Sequence, residues 1–255
     1  MKTIGLIGFG RFGKLIVKFI SKDFAIKIYD KKITKKALNI WKKEHIPQLL
    51  RNNIKLDTLN KVCGSKIILL AIPISSFELV SQKIANTVQP HTLIMDFCSV
   101  KKYPLTILQK QLPKSCYILG THPLFGPDSA GNELTNKKII LCPKRIQKKL
   151  FNDVFDYLKS LGLKVIVSTD DQHDKRTAYT LCLTQFIGRG LEKFQMKEEE
   201  FDTFTFNELL HIRNVALNDT KQLFCDMQSY NSYAKDMRKK LLNDFKGVEK
   251  MLNSK

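Results

Sequence analysis

The first thirty residues constrain the fold more than any other stretch of the chain. A short apolar run at residues 3–7 leads directly into the segment GFGRFG at residues 8–13, and a stretch with helical apolar spacing follows. A second apolar run at residues 25–30 ends in Asp30. A strand, a glycine-rich turn, a helix, a strand and an acidic residue in this order are typical of a unit that binds a dinucleotide. The sequence therefore predicts such a unit over residues 1–30.

Each glycine of this segment is expected to have a different structural role in such a unit. Gly8 is expected to form the tight turn, Gly10 to let the backbone approach a pyrophosphate, and Gly13 to let the helix pack closely on the strand. The helix N-terminus offers unpaired N–H groups to the phosphates. Asp30 is expected to accept from the adenosine ribose hydroxyls, which favours NAD, while the two lysines that follow it leave NADP open. The predicted cofactor-binding residues are Gly8, Phe9, Gly10, Arg11, Phe12, Gly13, Asp30 and Pro73.

Further strand patterns place two polar side chains where ligands bind. Residues 66–72 are continuously apolar, as expected for a parallel strand that is covered on both faces. The next strand patterns lie at residues 92–97 and 116–119, with helical patterns between them. The carboxyl ends of the strands in a doubly wound sheet line one crevice. Ser99 and His122 follow two of these strands, so we expect both side chains at that crevice.

His122 is the strongest catalytic candidate by chemistry. It lies in the segment GTHPLFGP, where Pro123 restricts its backbone to extended conformations and Gly120, Gly126 and Pro127 are expected to form turns on either side. A neutral imidazole can take up a proton near neutral pH. The alternative is a loop histidine that only hydrogen-bonds the backbone. Its position after a strand favours the catalytic interpretation.

The pattern changes near residue 168. The preceding part alternates strands and helices, whereas the spacing from His173 onward is helical almost to the end. We predict a Rossmann-type α/β domain at residues 1–168, with a doubly wound and mostly parallel sheet, and a small all-helical domain at residues 169–255. The helical part is too short to bury a large core alone, so it is expected to pack on the first domain or on a second subunit, which predicts a homodimer.

The composition limits the kinds of molecule that this protein is expected to bind. The net charge is +19, and the lysines that dominate it are spread along the chain without any nucleic-acid-binding signature. This argues against nucleic acid and suits an anionic small molecule. The six cysteines contain no CxxC pair, and the histidines lack metal-ligand spacing, so we expect no disulfide framework and no metal site. With no signal-peptide pattern and no bilayer-spanning run, the sequence predicts a cytoplasmic protein without membrane association.

Six segments of the chain match one known enzyme family. They are GFGRFG at 8–13, AIPI at 71–74, DFCSVK at 96–101, GTHPLFGPD at 120–128, HD at 173–174 and LTQF at 183–186. In these segments the chain resembles the prephenate/arogenate dehydrogenases of tyrosine biosynthesis, and most closely the plant-type arogenate enzymes. The combination of SVK with GTHPxFGP, about 20 residues apart, is the most specific match. The resemblance covers residues 1–195 and is looser beyond.

This resemblance implies an oxidative decarboxylation of prephenate to 4-hydroxyphenylpyruvate, or of arogenate to tyrosine. Hydride would pass from the ring carbon that bears the hydroxyl to NAD(P), while the ring carboxylate leaves as CO2. His122 would take the hydroxyl proton, and Ser99 would orient the hydroxyl and the nicotinamide. Ser99 is also placed to cap the helix that follows it. Lys101 is expected to be a structural partner in this loop, and His173 with Asp174 to fix the start of the long helix.

Three positions bear on the substrate. Gln185 stands where many family members have a histidine that faces the substrate, and it can hydrogen-bond but cannot carry charge. Arg213 is the nearest candidate for an arginine that binds a substrate carboxylate, with a plain surface residue as the alternative. Cys142 occupies the place of an acidic residue used by arogenate enzymes, which favours prephenate.

Two other interpretations stay open. The first is another Rossmann reductase of the imino-acid or β-hydroxyacid type. The β-hydroxyacid enzymes use a lysine on the first helix of the second domain, and only Lys175 lies near that place. The second is a catalytically inactive cofactor-binding or nucleic-acid-associated protein, for which the basic charge and Gln185 are the support.

Overall fold

The computed structural model describes residues 1–253, which divide into two compact units between Asp170 and Asp171. The α/β unit contains β1 (Thr3–Ile7), α1 (Arg11–Ile20), β2 (Ala25–Tyr29), α2 (Lys35–His45), β3 (Ile54–Leu56), α3 (Leu59–Cys63), β4 (Ile67–Leu70), α4 (Phe77–Ala85), β5 (Leu93–Asp96), α5 (Lys102–Gln111), β6 (Tyr117–Pro123), α6 (Pro127–Ala130), β7 (Lys138–Arg145), α7 (Lys148–Ser160) and β8 (Lys164–Val167). The helices that follow are α8 (Asp170–Thr177), α9 (Leu183–Lys193), α10 (Phe204–Asn218), α11 (Lys221–Tyr230) and α12 (Ala234–Asn253). A π-helical turn, Ala178–Cys182, joins α8 to α9.

The strands of the α/β unit form one sheet in the order β3-β2-β1-β4-β5-β6-β7-β8. Neighbouring strands are parallel except β6 and β7, which pair antiparallel. Because β1 is flanked by β2 on one side and β4 on the other, the chain reverses its winding direction at this strand. Ligands of such sheets bind outside the strand ends at this reversal point. The predicted Rossmann-type, mostly parallel fold followed by a helical region is confirmed.

Burial explains why the central strands are almost wholly apolar. All four residues of β5 are buried, as are four of the five residues of β1. Helix α1 covers the sheet with one apolar face, on which Ile16, Val17 and Ile20 are buried. Burying a side chain of this size stabilises the fold by roughly 1.5–3 kcal/mol. The packing of α1 therefore holds the glycine segment against the sheet.

One local prediction was wrong. Strand β6 continues through His122 to Pro123, so Gly120 lies inside a strand and forms no turn. A Cβ at Gly120 would lie 2.8 Å from Leu105 Cδ1, which explains a glycine at a strand position.

The helical unit packs around a few small side chains. A Cβ at Gly188 of α9 would lie 2.4 Å from Ala216 Cβ of α10, so glycine allows these two helices to approach closely. A second small core includes Cys182, Met227 and Met237. Several large apolar side chains are exposed, among them Phe201, Phe204, Val215, Phe245, Val248 and Leu252. No helix in the described part of the chain is both long and apolar enough to cross a bilayer.

None of the six cysteines, all of which lie within residues 1–253, forms a disulfide. Cys225 is exposed and the other five are buried. Burial raises the pKa of the Cys63 and Cys116 thiols, and it raises the pKa of Cys182 to about 12. A thiol with a raised pKa stays protonated at neutral pH, and the thiolate is the reactive form.

We therefore expect one thiol per native chain to react rapidly with Ellman's reagent at pH 7.5. All six should react after unfolding in guanidinium chloride. The Cys225→Ser variant should lose the rapid reaction entirely. Two or more rapidly reacting thiols in the native protein would contradict the buried positions described above.

Candidate active site

The glycine segment forms a tight turn between β1 and α1. Gly8 has a φ of +97°, and a Cβ there would lie 2.2 Å from the carbonyl oxygen of Ala71. A Cβ at Gly13 would lie 2.3 Å from the carbonyl oxygen of Gly8, so the helix packs directly on the turn. Nothing lies within 4 Å of a Cβ built at Gly10, the N-cap of α1, which leaves open space in front of the helix N-terminus. These features fit a dinucleotide pyrophosphate.

Asp30 is fixed at the end of β2 by two backbone donors. The Phe9 N–H donates to Asp30 Oδ2 and the Lys32 N–H donates to Asp30 Oδ1, each at 2.7 Å. The carboxylate is thus tied to the glycine segment. Because a carboxylate has about four acceptor positions, two remain for ribose hydroxyls. Lys31 and Lys32 are exposed beside it.

Three side chains of the glycine segment contact other parts of the α/β unit. Phe9 packs edge-on against Trp41 of α2, with ring centroids 4.9 Å apart. Phe12 contacts Phe97, which follows β5, at 5.7 Å between centroids. Arg11 pairs with Asp128, in the segment after β6, at 2.5 Å between Nη2 and Oδ1. The glycine segment therefore lies beside the segments that carry Ser99 and His122.

Ser99 and His122 occupy the predicted strand ends. Ser99 is half-buried in the segment between β5 and α5. Helix α5 begins at Lys102 with Lys101 as its N-cap residue, so the prediction that Ser99 caps this helix was wrong. His122 is 5% exposed and lies in extended backbone next to the end of β6, as its neighbour Pro123 requires. Pro73 is exposed at the carboxyl end of β4.

A buried ion pair connects the two segments. Lys101 and Asp96 are both fully buried, and Lys101 Nζ donates to Asp96 Oδ1. Lys101 Nζ also donates to the carbonyl of Thr121 at 2.8 Å. The sequence predicted a structural role for Lys101, and these contacts confirm one.

Cys142 does not lie at the ligand-binding end of the sheet. It is 1% exposed in the middle of β7 and pairs with Gly120, two residues before His122. A Cβ at Gly120 would meet the Cys142 Cβ at 3.2 Å, so this side chain faces the interior. The placement of Cys142 at the substrate was therefore wrong, because β7 runs antiparallel to β6 and its later residues lie away from the crevice.

In the helical unit, Asp219 contacts both Gln185 and Arg189, an arginine that was not among the predicted site residues. Gln185 Nε2 donates to Asp219 Oδ2 at 2.7 Å, and Arg189 Nη2 donates to the Asp219 carbonyl at 2.6 Å. Arg213, the predicted candidate, instead donates to its neighbour Asn214 at 3.1 Å. Arg189 follows Gln185 by four residues and so shares its helix face, which is the pattern that would have indicated it.

The histidine at the start of the helical unit is a buried structural group, as predicted. His173 Nδ1 lies 2.7 Å from Asp174 Oδ1, and both side chains are fully buried. Thr177 donates to the His173 carbonyl, and Asn231 donates to the Asp174 carbonyl. These bonds fix α8 against the segment that precedes α12. Within residues 1–253, no group of three or more His, Cys, Asp or Glu side chains is arranged to hold a metal ion.

Comparison with known proteins assigns the family. The family model described as the nucleotide-binding domain of prephenate dehydrogenase matches residues 36–167, just over half of the chain. The chain belongs to the prephenate dehydrogenase family. A second model, described as a TYRAAT1-like C-terminal domain, matches residues 190–255. The matched part of the α/β unit contains both Ser99 and His122, and the glycine segment precedes it.

Curated relatives of this prephenate dehydrogenase family member are longer proteins. A probable arogenate/prephenate dehydrogenase of Methanocaldococcus jannaschii is 26% identical over 264 residues, which cover 99% of this chain and 57% of the relative. The chloroplastic arogenate dehydrogenase 1 of Arabidopsis thaliana is 25% identical over 260 residues, covering 98% of this chain and 39% of the relative. The chain spans between 39% and 66% of the length of the four curated relatives that it matches.

Solved structures share the fold. The prephenate dehydrogenase from A. aeolicus in complex with hydroxyphenyl propionate and NAD+ has a TM-score of 0.72 at 21% identity, covering 100% of this chain and 89% of that chain. The Synechocystis arogenate dehydrogenase has a TM-score of 0.71 at 17% identity, covering 98% of this chain and 91% of that chain. These likenesses extend the fold of the family over both units of the chain.

Proposed function

We propose that this protein is an NAD(P)-dependent dehydrogenase that oxidatively decarboxylates prephenate or arogenate in tyrosine biosynthesis. The observation that carries the proposal is the position of His122 and Ser99 at the strand ends beside the glycine segment, which contacts Phe97 and Asp128 of the flanking segments. Membership of the prephenate dehydrogenase family and the names of the curated relatives support it. The imino-acid and β-hydroxyacid alternatives have no comparable support.

In this proposal, His122 takes the proton of the ring hydroxyl while hydride leaves the same carbon. The neutral imidazole of a histidine can accept a proton and later return it. Loss of the ring carboxylate as CO2 and aromatisation of the ring balance the reaction. Ser99 hydrogen-bonds the hydroxyl and orients it toward the cofactor. Bound NAD(P) supplies the hydride acceptor.

The chain's own residues would hold the cofactor through backbone and carboxylate contacts. The N–H groups at the start of α1 face the open space in front of Gly10, where the pyrophosphate fits. Asp30 would accept from the adenosine ribose, which supports NAD, and the exposed Lys31 and Lys32 would serve a 2′-phosphate if NADP is used. Pro73, at the end of β4, would border the same crevice.

Gln185 supports arogenate as the better substrate. Because the Asp219 carboxylate only accepts hydrogen bonds, it fixes Gln185 Nε2 toward itself and leaves Oε1 as an acceptor. Gln185 is 3% exposed, and Oε1 has no hydrogen-bond partner among residues 1–253. An unpaired buried acceptor costs roughly 1–3 kcal/mol, which a bound donor would recover. The ammonium of arogenate is such a donor, whereas the keto side chain of prephenate has none.

We also propose that the protein is a homodimer. The exposed apolar side chains on α10 and α12, including Phe204, Val215, Phe245 and Val248, would be covered by a second copy. Sedimentation equilibrium tests this directly, since a monomer at micromolar concentration would contradict it.

The experiment that tests the activity is reduced-cofactor absorbance at 340 nm in four mixtures. Prephenate or arogenate is combined with NAD or NADP, and wild-type protein is compared with a boiled sample. We expect turnover in at least one mixture, with arogenate and NAD the best pair. Cofactor binding without turnover in all four mixtures would overturn the proposed activity.

The substrate preference has its own prediction. Replacing Asp219 with asparagine exchanges a carboxylate that only accepts for an amide that can accept or donate, so the Gln185 amide is free to rotate. The kcat/KM ratio of arogenate to prephenate should then fall by about tenfold, since a hydrogen bond to a charged group is worth about 1.5 kcal/mol. Asp226→Asn is the matched control, because Asp226 accepts from Gln222 at 2.7 Å in the same unit. An unchanged ratio in Asp219→Asn would refute the role of Gln185.

A further inference from the structure

The Asp96–Lys101 pair holds two charges in a place where charge is costly. Both side chains are fully buried, so neither charge is in contact with water. Moving an ammonium and a carboxylate out of water is expensive, and apolar replacement of such a pair is often neutral or stabilising. Fold stability alone is therefore a weak reason for this pair. Its contacts indicate another role.

The bonds of the pair enclose Ser99. Asp96 Oδ1 accepts from the Cys98 N–H at 3.0 Å, one residue before Ser99. Lys101, two residues after it, donates to the same carboxylate oxygen. The turn from Cys98 to Lys101 is thus closed on Asp96 at both ends, and the backbone at Ser99 has little freedom. A four-residue segment that is tied at both ends to one carboxylate keeps its serine in a fixed position.

The same pair reaches the strand that carries His122. Lys101 Nζ donates to the Thr121 carbonyl at 2.8 Å, and Thr121 Oγ1 donates to the Asp96 carbonyl at 2.5 Å. Thr121 directly precedes His122, and Gly120 pairs with Asp96 in the sheet. One hydrogen bond from Lys101 to Thr121 and another from Thr121 to Asp96 therefore link the segment after β5 to the end of β6.

We propose that Lys101 is a positioning residue that sets the separation of Ser99 from His122. The inference rests on the proposed function, in which both of those residues act on the substrate hydroxyl. Lys101 itself is buried and acts through the Asp96 carboxylate and the Thr121 carbonyl. An apolar side chain in its place would fill the space but would make neither bond. The hydrogen bonds of the ion pair fix the distance between the two segments, whereas apolar packing would fix that distance less precisely.

The test uses a variant in which the charge balance is preserved. Lys101→Met alone leaves a buried carboxylate without its cation and is expected to unfold at a lower temperature. The double variant Asp96→Asn/Lys101→Met removes both charges, keeps an acceptor for the Cys98 N–H, and should regain most of that loss. Its kcat should remain about 10²-fold below wild type, because a displacement of about 1 Å at a reacting group has an effect of that size. The KM for substrate and the Kd for NAD should change less than about threefold, since the glycine segment is untouched.

Recovery of kcat together with the melting temperature in the double variant would overturn the proposal. That result would mean that the pair only stabilises the fold. Lys110→Met serves as control, since Lys110 is exposed at the far end of α5 and its loss should change neither quantity. A lowered kcat with an unchanged KM indicates a displaced catalytic pair, whereas a raised KM indicates a damaged binding site.

A second readout does not depend on activity. The ring resonance of His122 is identified in a histidine-selective correlation spectrum by its absence from His122→Asn. In the folded double variant this resonance should move, while the exposed His91 and His211 resonances should stay. An unmoved His122 resonance would refute the positioning role. If wild type shows no turnover with either substrate, the proposed function fails, and the spectrum still decides whether Lys101 positions His122.

Discussion

Replacing His122 with asparagine is expected to lower kcat by about 10²–10⁴-fold, the usual contribution of a general acid–base group. Asparagine keeps a hydrogen-bond donor near the position of the ring nitrogen but cannot take up a proton near neutral pH. His122 lies in a strand whose backbone the substitution leaves unchanged, because the extended conformation is set by Pro123 and by pairing with Ile140. Stopped-flow measurement of cofactor reduction, with the best substrate pair, gives kcat and separates it from binding.

The same substitution at His91 is the matched control. His91 is exposed and has a φ of +62°, a conformation that asparagine adopts readily. His91→Asn should therefore fold and turn over like wild type. Cofactor affinity of His122→Asn should stay within about threefold of wild type, since no phosphate contact changes. Full activity in His122→Asn would sink the proposed mechanism.

Replacing Gly8 with alanine is expected to have the largest effect on stability. The φ of +97° disfavours any side chain, and the new Cβ would lie 2.2 Å from the Ala71 carbonyl oxygen. That oxygen belongs to backbone at the end of β4 and can move only with the sheet. The combined strain and displacement should reduce the free energy of unfolding by roughly 3 kcal/mol or more. Urea denaturation followed by circular dichroism measures the loss.

The Gly10→Ala variant separates an effect on folding from an effect on cofactor binding. A Cβ at Gly10 meets nothing within 4 Å, so its free energy of unfolding should change by about 1 kcal/mol or less. The methyl group would nevertheless project into the space in front of α1, where the pyrophosphate is proposed to bind. Calorimetric titration should show an affinity for NAD at least about tenfold lower, a change of about 1.4 kcal/mol. Wild-type affinity in Gly10→Ala would place the cofactor elsewhere.

The glycine segment could be predicted because its geometry is local. Strand, turn and helix follow one another without interruption, Gly8 has the positive φ that its turn requires, and Gly13 packs directly on the Gly8 carbonyl oxygen. The extent of β6 could not be predicted in the same way. Gly120 was interpreted as a turn because glycine usually ends strands, whereas its actual cause is the approach of Leu105 from α5. Contacts between distant segments decide such positions.

The candidate site also has contacts between distant segments that the sequence does not predict. The motifs place Ser99 and His122 at strand ends, which follows from the alternation of strands and helices. The bond of Gln185 to Asp219 joins residues 34 positions apart and depends on how α9 packs on α10. For the same reason the spacing of Arg189 from Gln185 indicates a shared helix face but not their common partner, Asp219 at the end of α10. Helix packing, which a periodicity argument leaves undetermined, supplies that information.

The contact between Phe9 and Trp41 gives the protein an optical signal of its own. Trp41 is the single tryptophan of the chain, and its ring lies against a side chain of the glycine segment. Its ultraviolet emission therefore reports on that segment without an attached dye and without interference from a second indole. A dinucleotide that settles over the segment would change this emission in wild type and in His122→Asn alike. Occupancy can thus be followed in variants that have lost turnover, at concentrations well below those that calorimetry requires.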